Sequence, residues 1–236
     1  MTASHPDLTK PISLAWFTMG SPTIVEVAMR GTADVAVMDL QHGLWDRMSA
    51  HTAVHAASPR PAFMRVAANS EIEISRGLDT GAAGVIVPMV DTAAEAAEAV
   101  RHAHFPPLGH RSAGGVRPQF QGAAYAGAGS SRSGPILGVM IETAEGVRNV
   151  DAIVATAGVD FIFIGPFDLG LSLGGNAQAL EESAKEVLKA CRKHGKPCGI
   201  YTANRAAFEQ RRAEGFSITV LAGDVSAVMS AFAASA

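Results

Sequence analysis

The sequence predicts one α/β domain, residues 1–236, folded as a (β/α)8 barrel of the TIM type. Three observations predict it. First, β-type runs recur at Ile12–Phe17, Val35–Asp39, Ala62–Val66, Gly84–Val90, Ile136–Glu142, Phe161–Ile164, Cys198–Tyr201 and Ser217–Leu221. Helical stretches lie between most of them, and such alternation implies parallel strands joined by helical crossovers. Second, GTADVAVMD at 31, GAAGVIVPM at 81, GVDFIFIGP at 158 and GFSITVLAG at 215 form a weak internal repeat. In each, a glycine ends a helix, a short turn follows, and an apolar strand begins. Third, these strands are continuously apolar rather than alternating, as strands covered on both faces are. Eight such units in a chain of this length favour a closed barrel over an open doubly wound sheet. No G-x-G-x-x-G follows the first strand, so no nucleotide cofactor is expected.

The elements carry their own punctuation. Ser21-Pro22 opens the first helix in the order N-cap then N1 proline, and Gly31 closes it. Asp91-Thr92 precedes the helical Ala93–His102, and Gly195 ends Ala179–His194. The last helix, Val225–Ala234, carries Val228, Met229 and Phe232 as a narrow apolar stripe that suits packing on its own barrel or on a neighbour. One link breaks the rhythm. Residues 106–134 are rich in Gly, Ser and Arg and weak in periodicity, and loops this long are usually functional or disordered. With Ile136–Glu142 as the fifth strand, the segment begins near the top of strand four; a lid, a subunit contact and a plain insertion all fit.

Composition narrows the function. The net charge of -3 and pI near 6.2 give no reason to expect a nucleic-acid partner. Cys191 and Cys198 make neither a disulfide framework nor a zinc site. The start, MTASHPDLTK, does not read as a signal peptide. No apolar run reaches the roughly 18 residues of a membrane span. A cytoplasmic protein without membrane contact is expected.

In a barrel, polar residues at the carboxyl ends of strands converge on one mouth. Those ends hold Asp39-Leu-Gln-His42, Arg65, Met140-Ile-Glu142 and Gly165-Pro-Phe-Asp168. Each has a plain structural explanation alone, as a cap, an ion pair or a satisfied histidine. Together they bring two acids, a histidine and an arginine to one centre. Glu142 and Asp168 are candidate ligands for a hard divalent ion such as magnesium or manganese, with positions left for water and substrate. Lys10, Lys185, Lys189, Lys193 and Lys196 are the only lysines, and none lies at a strand's carboxyl end. A Schiff-base route needs such an amine in the pocket. Carbonyl chemistry here would rest on a metal instead.

At these residues the chain resembles the HpcH/HpaI aldolase/citrate lyase family, in particular its class II pyruvate aldolases of the 4-hydroxy-2-oxoheptanedioate aldolase type. The motifs are Asp39-Leu-Gln-His-Gly43, Val87-Pro-Met-Val90, Pro106-Pro-Leu-Gly-His-Arg111, Ile141-Glu-Thr143 and Ile164-Gly-Pro-Phe-Asp-Leu169. The resemblance runs from about Trp16 to near Val228 and implies reversible aldol cleavage or addition. A 2-oxo acid such as pyruvate or hydroxypyruvate and an aldehyde would react through an enolate stabilised by Mg2+, Mn2+ or Co2+. It matches Glu142 and Asp168 to the metal ligands, His42 to the proton-transferring base and Arg65 to the group that stabilises the enolate oxygen. It matches Asp79 to the aspartate that pairs with the histidine; spacing alone nominates Asp39, which stays the second candidate. Backbone N–H groups around Phe167 and Asp168, with Gly165 and Pro166 beside them, would hold the substrate carboxylate. The resemblance also implies a homo-oligomer, a hexamer built from dimers.

Three positions depart from the family pattern. Gln41 stands where many members carry Glu, Met140 replaces a substrate-contacting glutamine, and Phe167 replaces a small residue. They leave the metal and base alone but bear on the donor and acceptor. Two other readings stay open. One is a relative using another enolate, as in oxaloacetate decarboxylation, citrate-type condensation or acyl-CoA cleavage. The other is a non-catalytic barrel kept for binding.

Overall fold

The computed structural model describes residues 5–116 and 134–233. Eight strands, β1 (Ile12–Phe17), β2 (Val35–Asp39), β3 (Ala62–Arg65), β4 (Gly84–Val87), β5 (Ile136–Ile141), β6 (Phe161–Ile164), β7 (Cys198–Ile200) and β8 (Ile218–Gly223), close in sequence order. Every pairing is parallel, including β8 with β1. The described helices are α1 (Pro22–Ala28), α2 (Arg47–Ala56), α3 (Glu71–Asp79), α4 (Ala93–Ala103), α5 (Ala144–Arg148), α6 (Val150–Ala155), α7 (Pro166–Ser172), α8 (Ala177–Lys193), α9 (Arg205–Glu214) and α10 (Asp224–Phe232). The barrel expected from the alternation is the one observed.

Strand parity sorts the apolar residues into two cores. Ile12, Leu14 and Trp16 of β1 point inward with Val35, Val37, Phe63, Ile86, Met140, Phe161, Phe163 and Val220. Ala15 and Phe17 point outward with Ala36, Met38, Met64 and Val85, against the helices. Both faces of each strand are therefore dry, which is why the strands read as unbroken apolar runs. Inside, large rings alternate with glycines. Phe161 stacks on Phe63 at 6.0 Å between centroids, and Phe163 stacks on Trp16 at 5.7 Å. The register puts Phe161 opposite Gly138 and Phe163 opposite Gly199. A Cβ at Gly138 would stand 2.2 Å from the Phe161 ring, and one at Gly199 2.5 Å from Phe163.

Helix starts follow the strand ends and take short polar caps. Ser21, Asp46, Ser70, Thr92 and Thr143 each accept a backbone N–H of the first turn. At β8, the buried Asp224 carboxylate accepts the backbone N–H groups of Thr18 and Met19 at 2.8–3.0 Å, tying the end of β8 to the end of β1. The Val228, Met229 and Phe232 stripe of α10 is exposed on the single chain. No described helix is long and apolar enough to cross a membrane.

Two expectations are corrected. β4 stops at Val87 rather than Val90, because Pro88 cannot donate to the ladder and Met89 takes a left-handed φ of 54°. The segment from Pro106 does not start near the top of strand four. It leaves α4, which runs back from the mouth to the strands' amino ends. There His110 N–H bonds Arg101 O and Arg111 N–H bonds His104 O. Residues 117–133 of the long link lie outside the described residues.

Adding a methyl at Gly138 tests the ring-on-glycine packing. Gly138→Ala is expected to cost about 2 kcal/mol by overpacking, read as a lower urea midpoint at unchanged slope. A midpoint equal to that of the parent chain would mean that β5 and β6 can spread.

Candidate active site

The site is built from the last residues of β2 and β3 and from the first residues beyond β5 and β6. Asp39 and Arg65 end their strands as register partners. Arg65 Nε donates to Asp39 Oδ1 at 2.8 Å, and its Nη2 donates to Oδ2. Both side chains are buried. Trp16 Nε1–H donates to the same carboxylate at 3.2 Å, and the Arg65 guanidinium lies 5.2 Å from the indole centroid. Asp39 Oδ1 also accepts the backbone N–H groups of Gln41 and His42, at 3.1 and 3.2 Å. Burial works against the Asp39 charge, but the Arg65 hydrogen bonds and charge, with the His42 amide and Trp16, hold its pKa below the ordinary value. Asp39 thus stays ionised and aims both Arg65 and the following turn.

Glu142, one residue past β5, is 1% exposed. Its Oε2 accepts the Met89 backbone N–H at 3.0 Å, while Oε1 is buried with no partner among the described residues. A Cβ at residue 165 would fall 2.2 Å from that oxygen, so only glycine leaves the carboxylate its space. Burial is the main cause that pushes the Glu142 pKa up to about 7; the Met89 amide and Arg65 oppose it, and the negative charges of Asp168 and Asp39 add to it. Asp168 lies in the first turn of α7 and is half-buried.

These two carboxylates suit a divalent cation. An orphaned buried oxygen, a carboxyl whose pKa is raised mainly by burial, and a second acid whose charge reaches it describe a place short of positive charge. Among the described residues no three His, Cys, Asp or Glu side chains form a group able to hold a metal. Glu142 and Asp168 would therefore leave much of the coordination to water and substrate, as hard oxygen-ligand ions allow.

The remaining expected residues fall as follows. His42 sits in the turn after β2, exposed at the mouth, and among the described residues its ring makes no hydrogen bond. Gln41 Oε1 is a second buried acceptor without a partner among the described residues. Gly165 is the N-cap of α7 and Pro166 its first residue, and the cap has no side-chain hydrogen bond. Phe167 points to solvent, 77% exposed, while Met140 is buried in the barrel interior. Asp79 is not brought to His42. It ends α3 at the opposite rim and accepts a 2.8 Å hydrogen bond from Arg111. A helix returning from the mouth places its last residue at the far rim, and at roughly 3.3 Å per strand residue the rims stand on the order of 15 Å apart. Of the two aspartates considered for the histidine, Asp39 is the one beside it, though it holds the backbone and not the ring.

Sequence reasoning missed Trp16 and the Met89 amide. Inward parity along Ile12, Leu14 and Trp16 could have found the first. Nothing short of the backbone conformation at Met89 could have found the second.

Such a mouth belongs to a barrel enzyme, and comparison with known proteins gives its class as a carbon–carbon lyase. Residues 13–231 match the family model HpcH/HpaI aldolase/citrate lyase, and the chain belongs to that family. It is 33% identical over 234 residues to the hydroxypyruvate/pyruvate aldolase of Rhizorhabdus wittichii, covering 94% of this chain and 91% of that protein. It is 34% identical to the 5-keto-4-deoxy-D-glucarate aldolase of Klebsiella pneumoniae, over 92% of this chain and 87% of that one. A crystal structure of a family member from Burkholderia cenocepacia superposes with a TM-score of 0.86 at 29% identity, covering 94% of this chain and 91% of that one.

The raised Glu142 pKa has a measurable consequence in metal-free protein. A carboxyl whose folded pKa is above its unfolded value contributes stability that is full at low pH and lost as pH rises through the folded value, about 7 here. Glu142→Gln removes that loss. At pH 8 with chelator it is expected to raise stability by on the order of 3 kcal/mol. The gain should fade toward pH 4.5. Equal melting of both proteins at pH 8 would mean the carboxylate is solvated.

Proposed function

We propose that this chain is a divalent-metal-dependent aldolase that makes and breaks the bond between C3 of pyruvate, or of a related 2-oxo acid such as hydroxypyruvate, and an aldehyde carbon. The observation that carries the reading is the Glu142 oxygen left bare beside Asp168, at the mouth that also holds Arg65. The lysine positions support it, since none lies at a strand's carboxyl end to form a Schiff base.

Glu142 and Asp168 would hold the ion, which when bound supplies Lewis-acid stabilisation of the negative charge that develops on the keto oxygen. Arg65 adds to this from the protein side. Two of its N–H donors are spent on Asp39. A guanidinium has five N–H donors in a rigid fork, so the remainder are available to the same oxygen without reorganisation. The backbone N–H groups that open α7, at Phe167 and Asp168, face no side-chain cap and can bind the substrate carboxylate. His42 is the proton carrier in this reading. In cleavage it takes the proton of the C4 hydroxyl; the C4–O bond becomes the aldehyde carbonyl as the C3–C4 bond breaks, and the bonding pair stays on C3 to form the enolate. Returning a proton to C3 gives the 2-oxo acid. Addition runs the same steps backward. The exposed ring is free to exchange its proton with solvent between turnovers.

Deuterium exchange at the pyruvate methyl, followed by NMR with Mg2+, Mn2+ or Co2+, tests the enolate step. Exchange that disappears with chelator is the expected result. Arg65→Ala should lower turnover by about two to three powers of ten in protein that still folds but melts lower, since Asp39 is left buried and unpaired. Normal cleavage of 4-hydroxy-2-oxo acids by Glu142→Ala would overturn the assignment.

A further inference from the structure

The groups assigned to the 2-oxo acid come from β2, β3, β5 and β6, which leaves the β7–β8–β1 wall of the mouth for whatever reacts with it. Most polar groups on that wall are already committed. Trp16 Nε1–H is spent on Asp39, and the Asp224 oxygens are spent on Thr18 and Met19. Thr18 Oγ1 donates to Asp224, and Thr202 Oγ1 donates to Val220 O. Gly223, at the end of β8, has no side chain to offer.

Tyr201 differs. It is the first residue past β7, and its N–H is pinned to Ile164 O at 3.1 Å, one residue before Gly165. Its ring packs on the interior cluster and meets Trp16 edge-on, 5.5 Å between centroids. The absent side chain of Gly223 makes room for the hydroxyl: a Cβ there would stand 3.3 Å from it. The ring is half-buried, yet among the described residues the hydroxyl makes no hydrogen bond. The hydroxyl is not among the buried unpartnered atoms, so it opens to the mouth, where water is its partner until a ligand replaces it. Burial raises the Tyr201 pKa, with the charges of Arg65, Asp224 and Asp39 also reaching the phenol, so it remains a neutral donor at physiological pH.

We propose that the Tyr201 hydroxyl binds the aldehyde half of the substrate by donating a hydrogen bond to an oxygen substituent next to the aldehyde carbon, so that this chain prefers short hydroxyaldehydes over alkyl aldehydes. The assignment rests on the aldolase reading above and names the acceptor class for that same site. Trp16 supplies the apolar floor on which the acceptor's carbon chain lies.

The test compares glycolaldehyde with propanal, nearly equal in size, as acceptors for pyruvate with saturating Mg2+ or Mn2+. Wild type is expected to favour glycolaldehyde in kcat/KM. Tyr201→Phe keeps the ring against Trp16, so its melting temperature should match wild type. Its preference for glycolaldehyde should fall about fivefold to tenfold, the loss of one neutral hydrogen bond. Most of that fall is expected in the KM for glycolaldehyde. An unchanged preference, or an equal loss for both aldehydes, overturns the role of Tyr201 while leaving the aldolase reading in place. A wild-type protein that joins neither aldehyde to pyruvate and exchanges no methyl protons overturns both.

Discussion

The buried pair of Asp39 and Arg65 is the interaction on which the rest of the mouth depends. Burying two charges is costly, and a buried pair seldom repays the whole desolvation penalty. Here the carboxylate also takes the Trp16 indole N–H and two backbone N–H groups of the turn that carries His42. One anion therefore fixes the rotamer of the arginine, the ring of the tryptophan and the path of the chain leaving β2. Each of those groups stands at the mouth, and the arginine cannot drift without leaving a lone buried charge. A nonpolar replacement of the pair could be as stable and would orient nothing.

The barrel interior supports this from below. The rings of Phe161 and Phe163 fill the lower layers by lying across Gly138 and Gly199, Phe63 stacks on Phe161, and Trp16 closes the top of the stack on Phe163. Polar groups begin only above it. The transition from aromatic filling to charged mouth takes two strand residues: Trp16 is level with Val37 and Phe63, and Asp39 and Arg65 follow two residues on. Low polarity beneath the charges strengthens the fields they exert on whatever binds above.

Much of this was legible in the sequence, for local reasons. Unbroken apolar runs separated by capped helices have few other arrangements, and strand-end polar residues must face one rim. That logic located Asp39, Arg65, Glu142 and Asp168. It does not reach residues on returning helices, such as Asp79 and the segment after α4: a helix of a few turns carries them to the far rim of their own barrel. It fails where backbone conformation decides. Val87-Pro-Met-Val90 reads as strand, and only the turn at Met89 shows that it ends as a donor to Glu142. Trp16 and Tyr201 read as core aromatics because their rings are core; their polar edges matter only once the neighbours are in place.

The donor at Met89 belongs to the main chain, which sets the mutational character of the position. The hydrogen bond from Met89 N–H to the Glu142 carboxylate survives any change of side chain there except to proline, which has no N–H. Residue 89 can thus vary in size and polarity at an exposed place on the rim while the acid beneath keeps its anchor. The constraint moves to the backbone angle, φ 54°, which glycine and asparagine adopt more easily than methionine. Robustness of the buried acid's anchor and freedom of the rim surface are thereby separated within one residue.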